Sequence, residues 1–155
     1  MRTPPPAASN APETGRPEVV SRWPRTRRTV GRAREDLRVA LAKWGLEELA
    51  DAAELVLSEL VTNSVRHART PAGRLVETRY TQYGRGLRIE VHDADETWPR
   101  PRAAMDEDEG GRGLALVDAL TQHRWGVEPR PGPGKLVWAH IGDLNEVAPD
   151  GPVDA

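Results

Sequence analysis

The chain has 155 residues, a formal net charge of −2 and no cysteine. This length is sufficient for one domain with a buried core, and the lack of cysteine excludes a disulfide scaffold, a cysteine-ligated zinc site and a thiol nucleophile. No apolar stretch approaches the roughly 20 residues of a membrane helix. Residues 1–18 contain no hydrophobic run typical of a signal peptide. We therefore expect a cytoplasmic protein that is not a general nucleic-acid binder.

Composition divides the chain into two tails and one central domain. Residues 1–18 and 144–155 are rich in Pro, Ala and polar residues, cannot bury much apolar surface, and are predicted to be disordered. The domain between them, residues 19–143, opens with a short predicted strand, Val19–Trp23, which Pro24 closes.

Two amphipathic helices follow the first strand. In the first helix, apolar residues recur at spacings of three and four as far as Trp44, with Thr26 as the candidate N-cap and Gly45 as the C-terminal cap. The second helix runs from about Glu47 to Ala68, and its predicted buried stripe follows a clear helical period from Leu49 to Ser64.

The second half of the chain alternates strands with one long loop. Strands are predicted at Leu75–Thr81 and Gly86–His92, and the aperiodic segment Asp93–Gly113 is predicted to be a functional loop. The remaining predicted elements are a helix, Leu114–Leu120, and two strands, His123–Val127 and Lys135–Ile141. This order predicts a two-layer α/β sandwich, with helices packed on one face of a mixed, mostly antiparallel sheet.

Glu59 and Asn63 are the first candidates for chemistry. They lie four residues apart on the second helix, at the flank of its apolar stripe, and therefore share a face. An Asn side-chain oxygen is a suitable ligand for Mg²⁺, and a carboxylate one turn earlier can orient or deprotonate a nucleophile. The same pair is also common as ordinary residues at a helix border.

Two further candidates follow strands or precede helices. Asp93 ends a predicted strand, where a carboxylate can accept a hydrogen bond from an adenine amino group or simply form a turn. The glycines of Gly110–Gly113 precede the predicted third helix. Such glycines either let backbone N–H groups approach phosphates or form a flexible hinge.

Other patterns are weaker. The four histidines have no metal-type spacing, and Gly132–Lys135 is not a Walker A loop because no Ser or Thr follows the lysine. The arginines from Arg22 to Arg38 form either a solvated helix face or a basic patch for nucleic acid or an acidic partner. Because nearly every basic residue is Arg, individual arginines are weak signals.

The ordered set of motifs resembles one superfamily. The segment Glu59–Ala68 (ELVTNSVRHA) resembles the N box of the GHKL ATPases, and Asp93 occupies the position of the adenine-binding Asp in their first glycine box. Gly111–Leu114 looks like their second glycine box. Gly134–Trp138 resembles the strand that closes the small anti-sigma-factor serine/threonine kinases of this superfamily.

This resemblance implies a Bergerat-type sandwich that binds ATP and Mg²⁺. Asn63 would coordinate Mg²⁺ and Glu59 would be the general base. The residues expected to contact nucleotide are Asn63, Arg66, His67, Asp93, Asp95, Gly111, Arg112, Gly113, Leu114 and Lys135. Asp95 departs from the family, which usually has a glycine there, and a second carboxylate at this position would repel the nucleotide.

The functional expectation is therefore an ATP-dependent serine/threonine protein kinase. By resemblance, it would sequester a sigma factor and phosphorylate an anti-anti-sigma (STAS-type) protein, without direct contact to nucleic acid or membrane. A homodimer formed through the first strand and helix is a further expectation from the group. One alternative is an ATP-binding partner-switch regulator without kinase activity. Another is a nucleic-acid-binding module, against which the net charge argues.

Overall fold

The computed structural model describes residues 15–66, 75–93, 109–130 and 134–144, with residues 109–112 described by their backbone. The elements are β1 (Glu18–Pro24), α1 (Arg27–Trp44), α2 (Ala50–Arg66), β2 (Leu75–Tyr83), β3 (Arg85–Asp93), α3 (Glu109–Leu120), β4 (Trp125–Pro129) and β5 (Lys135–Asp143). Their order is the predicted one. The predicted tails lie almost wholly outside the described residues, so the domain boundaries stay a prediction.

The strands form one open sheet in the order β1-β2-β3-β5-β4. All four pairings among the described strands are antiparallel. Since β4 lies at the edge beyond β5, the chain leaves β3, passes through α3 and returns on the far side of β5. The pairing of β3 with β5 sets Asp93 opposite Lys135, and the pairing of β2 with β3 sets Val76 opposite Asp93.

The core lies between one sheet face and the helices. Alternate strand residues supply the sheet side: Val76 and Tyr80 of β2, Leu87, Ile89 and Val91 of β3, and Val137, Ala139 and Ile141 of β5. Buried residues of α1 and α2 cover them, among them Ala33, Leu37, Leu41, Val56, Leu57 and Val61. Each such large side chain contributes roughly 1.5–3 kcal/mol by leaving water. The Tyr80 hydroxyl donates to the Ala33 carbonyl oxygen over 3.2 Å and so ties β2 to α1.

The ends of α1 are close to the prediction. Gly45 has a φ of 69°, and its N–H donates to the Ala42 carbonyl oxygen over 3.2 Å, which confirms the glycine cap. Thr26 takes the N-cap position, although its side chain makes no capping hydrogen bond. Instead, the Thr29 hydroxyl donates to the Pro24 carbonyl oxygen over 2.5 Å and joins the helix start to the end of β1.

Three predicted boundaries are wrong. The α-helical part of α2 begins at Ala50, because Glu47–Leu49 forms a 3₁₀ turn. α3 begins at Glu109, so the helix includes glycines that were predicted to end the preceding loop; residues 94–108 of that loop lie outside the described residues. β4 begins at Trp125 instead of His123, because Gln122 and His123 have φ values of 56° and 68°, which no strand residue adopts.

None of the helices in the described part of the chain combines the length and apolar character that crossing a membrane requires.

Candidate functional site

Glu59 of α2 lies directly against the glycine end of α3. A Cβ atom built on Gly113 would overlap the Glu59 Oε1 atom and would lie 3.2 Å from its Cδ atom. Glycine is therefore the residue that lets α3 approach the Glu59 carboxylate this closely. The structure brings together two residues that the sequence places in separate motifs, 54 positions apart.

Asn63 lies one helical turn beyond Glu59, and both side chains are half-buried. The next residue, Ser64, is buried, and its hydroxyl donates to Asp93 Oδ2 over 2.5 Å. This hydrogen bond joins the C-terminal half of α2 to the end of β3. Glu59 and Ser64 are separated by about 7.5 Å along the helix axis. The contacts with Gly113 and with Asp93 therefore fall on neighbouring turns of α2 and mark the two ends of the candidate site.

Asp93 is the centre of a buried ionic cluster. Its Oδ1 atom forms an ion pair with the Arg25 guanidinium, which comes from the bend between β1 and α1. The Lys135 ammonium lies 3.6 Å from Asp93 Oδ2. The exposed fractions of the Asp93, Arg25 and Lys135 side chains are 3%, 5% and 8%. A carboxylate that is this deeply buried needs compensating charges and donors, and Arg25, Ser64 and Lys135 supply them.

Sequence reasoning missed Arg25 and Ser64 as site residues. Ser64 was assigned to the buried stripe of α2, and Arg25 was one of many arginines. The signal for Arg25 lies in strand register: Pro24 pairs with Leu75 at the same sheet end where Val76 pairs with Asp93. That register cannot be read from local spacing.

Of the remaining predicted site residues, some lie at the site and others do not or are outside the described residues. Lys135 lies at the Asp93 end of the site. Arg66 is exposed at the end of α2, and Leu114 is a buried apolar side chain of α3. Gly111 lies in the first turn of α3, and Arg112 is described by its backbone. His67 and Asp95 lie outside the described residues.

The described residues offer separate groups for the metal ion, the phosphates and the base of Mg²⁺-ATP. No group of three or more His, Cys, Asp or Glu side chains able to hold a metal occurs among the described residues. Mg²⁺ needs only one or two protein ligands when phosphates and water complete its shell, and Asn63 offers an amide oxygen for this purpose. The first N–H groups of α3 have no partner within the helix, which suits phosphate. The end of β3 supplies a carboxylate suited to a base amino group.

Two strongly perturbed titratable groups, Glu90 and His140, lie away from this site on the other face of the sheet. Burial raises the pKa of Glu90, but hydrogen bonds from His92 and Arg88 outweigh it and lower the pKa to about 2. Burial, followed by the nearby Arg88, lowers the pKa of His140 to about 4. Arg88, Glu90 and His92 interact along β3, and Arg88 also reaches His140 of β5 over 3.1 Å, so this polar network joins two strands of the sheet.

Fold and site together define a class of protein: a GHKL-type ATPase domain, as the motif order predicted. The family model for the histidine kinase-like ATPase domain matches residues 23–139, which is more than half of the chain, and the chain belongs to this family. The domain is therefore an ATP-binding, kinase-like ATPase domain. No curated protein sequence matched the chain.

Among solved structures, the chain is similar to the histidine kinase domain from the Erythrobacter litoralis EL346 blue-light activated histidine kinase. The identity is 24% and the TM-score is 0.45, and the match covers 76% of this chain. The chain spans 60% of the length of that domain.

Proposed function

We propose that the protein is an ATP-dependent serine/threonine protein kinase of the anti-sigma-factor type. It would sequester a sigma factor and, in its other state, phosphorylate a serine on a STAS-type antagonist. The observation that supports this proposal is the Glu59–Asn63 pair on α2, with the Glu59 carboxylate held against Gly113 of α3. A carboxylate in this position, beside the start of a helix that suits phosphate, can activate a hydroxyl group.

In the proposed reaction, Glu59 accepts the proton of the serine hydroxyl as its oxygen bonds to the γ-phosphorus of ATP. The bond between the γ-phosphorus and the β–γ bridging oxygen breaks, and ADP leaves with that oxygen. Asn63 would hold Mg²⁺, which would neutralise charge on the phosphates. The start of α3 orients the transferred group through its backbone N–H groups. Asp93 accepts a hydrogen bond from the amino group of the base.

A second candidate is an ATP-binding regulator without kinase activity. Lys135 supports it, because this lysine lies beside Asp93, at the proposed base end of the site. The aspartate at position 95, where the resembling family has glycine, points the same way. In this alternative, the nucleotide changes only the surface offered to a partner.

Calorimetric titration with ATP, with and without Mg²⁺, tests the nucleotide site. We expect Mg²⁺-dependent binding that Asn63→Ala weakens, because the substitution removes the amide ligand. Glu59→Gln should retain binding and lose phosphate transfer to STAS-type proteins, measured with radiolabelled ATP. Glu48→Gln, the same change at an exposed residue, is the matched control.

The outcomes separate the candidates. Transfer that survives Glu59→Gln would contradict the proposed base. Binding without any transfer, in wild type and variant alike, would favour the non-catalytic regulator. Absence of binding at millimolar ATP would refute both candidates.

A further inference from the structure

Arg25 lies outside every motif of the proposed nucleotide site, yet it contacts Asp93, the most buried carboxylate among the described residues of that site. Its guanidinium forms an ion pair with Asp93 Oδ1, while Ser64 and Lys135 both approach Oδ2. If Asp93 accepts a hydrogen bond from the amino group of a nucleotide base, that amino group must reach one of these two oxygens. Both oxygens are enclosed, because the Asp93 side chain is almost completely buried.

Asp93's contacts with Arg25, Ser64 and Lys135 differ in how firmly the backbone holds the partner residue. Ser64 is part of α2 and Lys135 is part of β5, so regular backbone hydrogen bonds hold the main chain of both residues, and both side chains approach the same oxygen, Oδ2. Arg25 belongs to the two-residue bend between β1 and α1. Its long side chain can leave Asp93 by rotating its own torsions, while Ser64 and Lys135 still compensate the carboxylate. Arg25 is therefore the partner that an incoming base can displace.

We propose that Arg25 is a determinant of nucleotide affinity: its guanidinium competes with the base amino group for Asp93. This inference rests on the proposed function, in which Asp93 reads the base. When Arg25 holds Asp93, the carboxylate is not available to the base. Apparent affinity then falls in proportion to the fraction of molecules in which Arg25 has released Asp93.

The test compares Arg25→Met with wild type in a calorimetric titration with Mg²⁺-ATP. Methionine retains an apolar stem of similar length and removes the charge. If Arg25 occupies Asp93 in nine-tenths of molecules, removing it strengthens ATP binding about tenfold. The second ligand is purine riboside triphosphate, which lacks the exocyclic amino group. Its affinity should not change, because its base makes no hydrogen bond that Arg25 blocks. Arg28→Met, the same change at an exposed residue of the first turn of α1, should leave both affinities unchanged.

The results discriminate clearly. Weaker ATP binding by Arg25→Met would show that Arg25 positions Asp93 and would overturn the inference. An equal gain for ATP and for purine riboside triphosphate would also overturn it, because the effect would not involve the amino group. If wild type binds ATP and the variant binds equally well, the inference fails while the proposed function stands. If wild type and Arg25→Met both fail to bind ATP, the proposed function fails as well.

The variant's fold is checked by circular dichroism and thermal unfolding. Should Arg25→Met fail to fold, Arg25→Gln makes the same comparison, because it removes the charge and keeps a hydrogen-bond donor. We expect a gain of a few-fold for ATP and none for purine riboside triphosphate. No gain for ATP with a folded Arg25→Gln would overturn the inference.

Discussion

The contact between α3 and the proposed catalytic carboxylate predicts an unusual effect of Gly113→Ala. The added methyl group would overlap Glu59 Oε1 and lie 3.2 Å from Glu59 Cδ. Both atoms belong to the end of a flexible side chain, so the helices need not move apart. We expect the Glu59 carboxylate to rotate away and the fold to remain.

The two consequences differ in size. Replacing a helical glycine by alanine stabilises a helix by roughly 1 kcal/mol, and forcing Glu59 from its rotamer costs about 0.5–1.5 kcal/mol. The net change in the free energy of unfolding is then within about 1 kcal/mol of zero, or a few degrees in Tm. A proton acceptor displaced by about 1 Å can lower turnover about 100-fold. Stability and activity should therefore separate.

Two assays test this separation: thermal unfolding, and ADP release with phosphate transfer at saturating ATP. The control is Gly31→Ala in α1, where the added Cβ would meet no atom within 4 Å. That variant makes the same gain in helix propensity, about 1 kcal/mol, and should retain full turnover. In a Glu59→Gln background, Gly113→Ala should cause little further loss of turnover, because it acts through Glu59.

Two results would refute this reasoning. Wild-type turnover in a folded Gly113→Ala variant would show that the position of the Glu59 carboxylate does not limit the reaction. Destabilisation by well over 2 kcal/mol, beyond the figures above, would show that α3 itself shifts. The loss of turnover would then report packing and not the placement of Glu59.

Further substitutions test the fold. Gly142 has a φ of +87°, and Gly142→Ala would set a Cβ 2.9 Å from a β3 carbonyl oxygen. It should lower the free energy of unfolding in urea by about 2 kcal/mol or more. Gly45→Ala, at a φ of +69° with open space around it, should lower it by only about 1 kcal/mol. Tyr80→Phe removes a buried hydrogen bond of 3.2 Å to an α1 carbonyl oxygen and should lower the free energy of unfolding by about 1 kcal/mol. Burial, then a neighbouring guanidinium, lowers the pKa of His140 from 6.5 to about 4 in the folded protein. The unfolded chain therefore binds a proton at higher pH than the folded chain, and the free energy of unfolding should increase as pH is raised from 4 to 6.5. This increase should be smaller in His140→Gln.

The fold follows from local pattern wherever one period dominates. The long apolar period of α1 and α2 and the alternation along β3 each specify a buried face without reference to the rest of the chain. The start of α3 could not be predicted in this way, because three glycines within five residues have poor helix propensity. Its packing on α2, through buried residues such as Leu114 and Val117, extends the helix through them.

In the candidate site, too, only the residues that local spacing positions could be predicted from the sequence. Glu59 and Asn63 were predictable because four-residue spacing on a helix fixes their common face. Asp93 was predictable from its place at a strand end. The contact of Arg25 with Asp93 joins residues 68 positions apart and depends on the register of β1, β2 and β3. Such register is set by the whole sheet, so it cannot be predicted from a local motif.

Because α2 carries both ends of the proposed site, substitutions at the two ends should have different kinetic signatures. Arg25 acts on the base end through Asp93, so its substitution should change the apparent affinity for ATP more than the rate at saturation. Gly113 acts on the Glu59 end, where only the reacting hydroxyl and phosphate are affected, so its substitution should lower the saturated rate more than the affinity. If both substitutions changed affinity and rate in the same proportion, the two ends would not act separately. Instead, α2 would move as one unit when nucleotide binds.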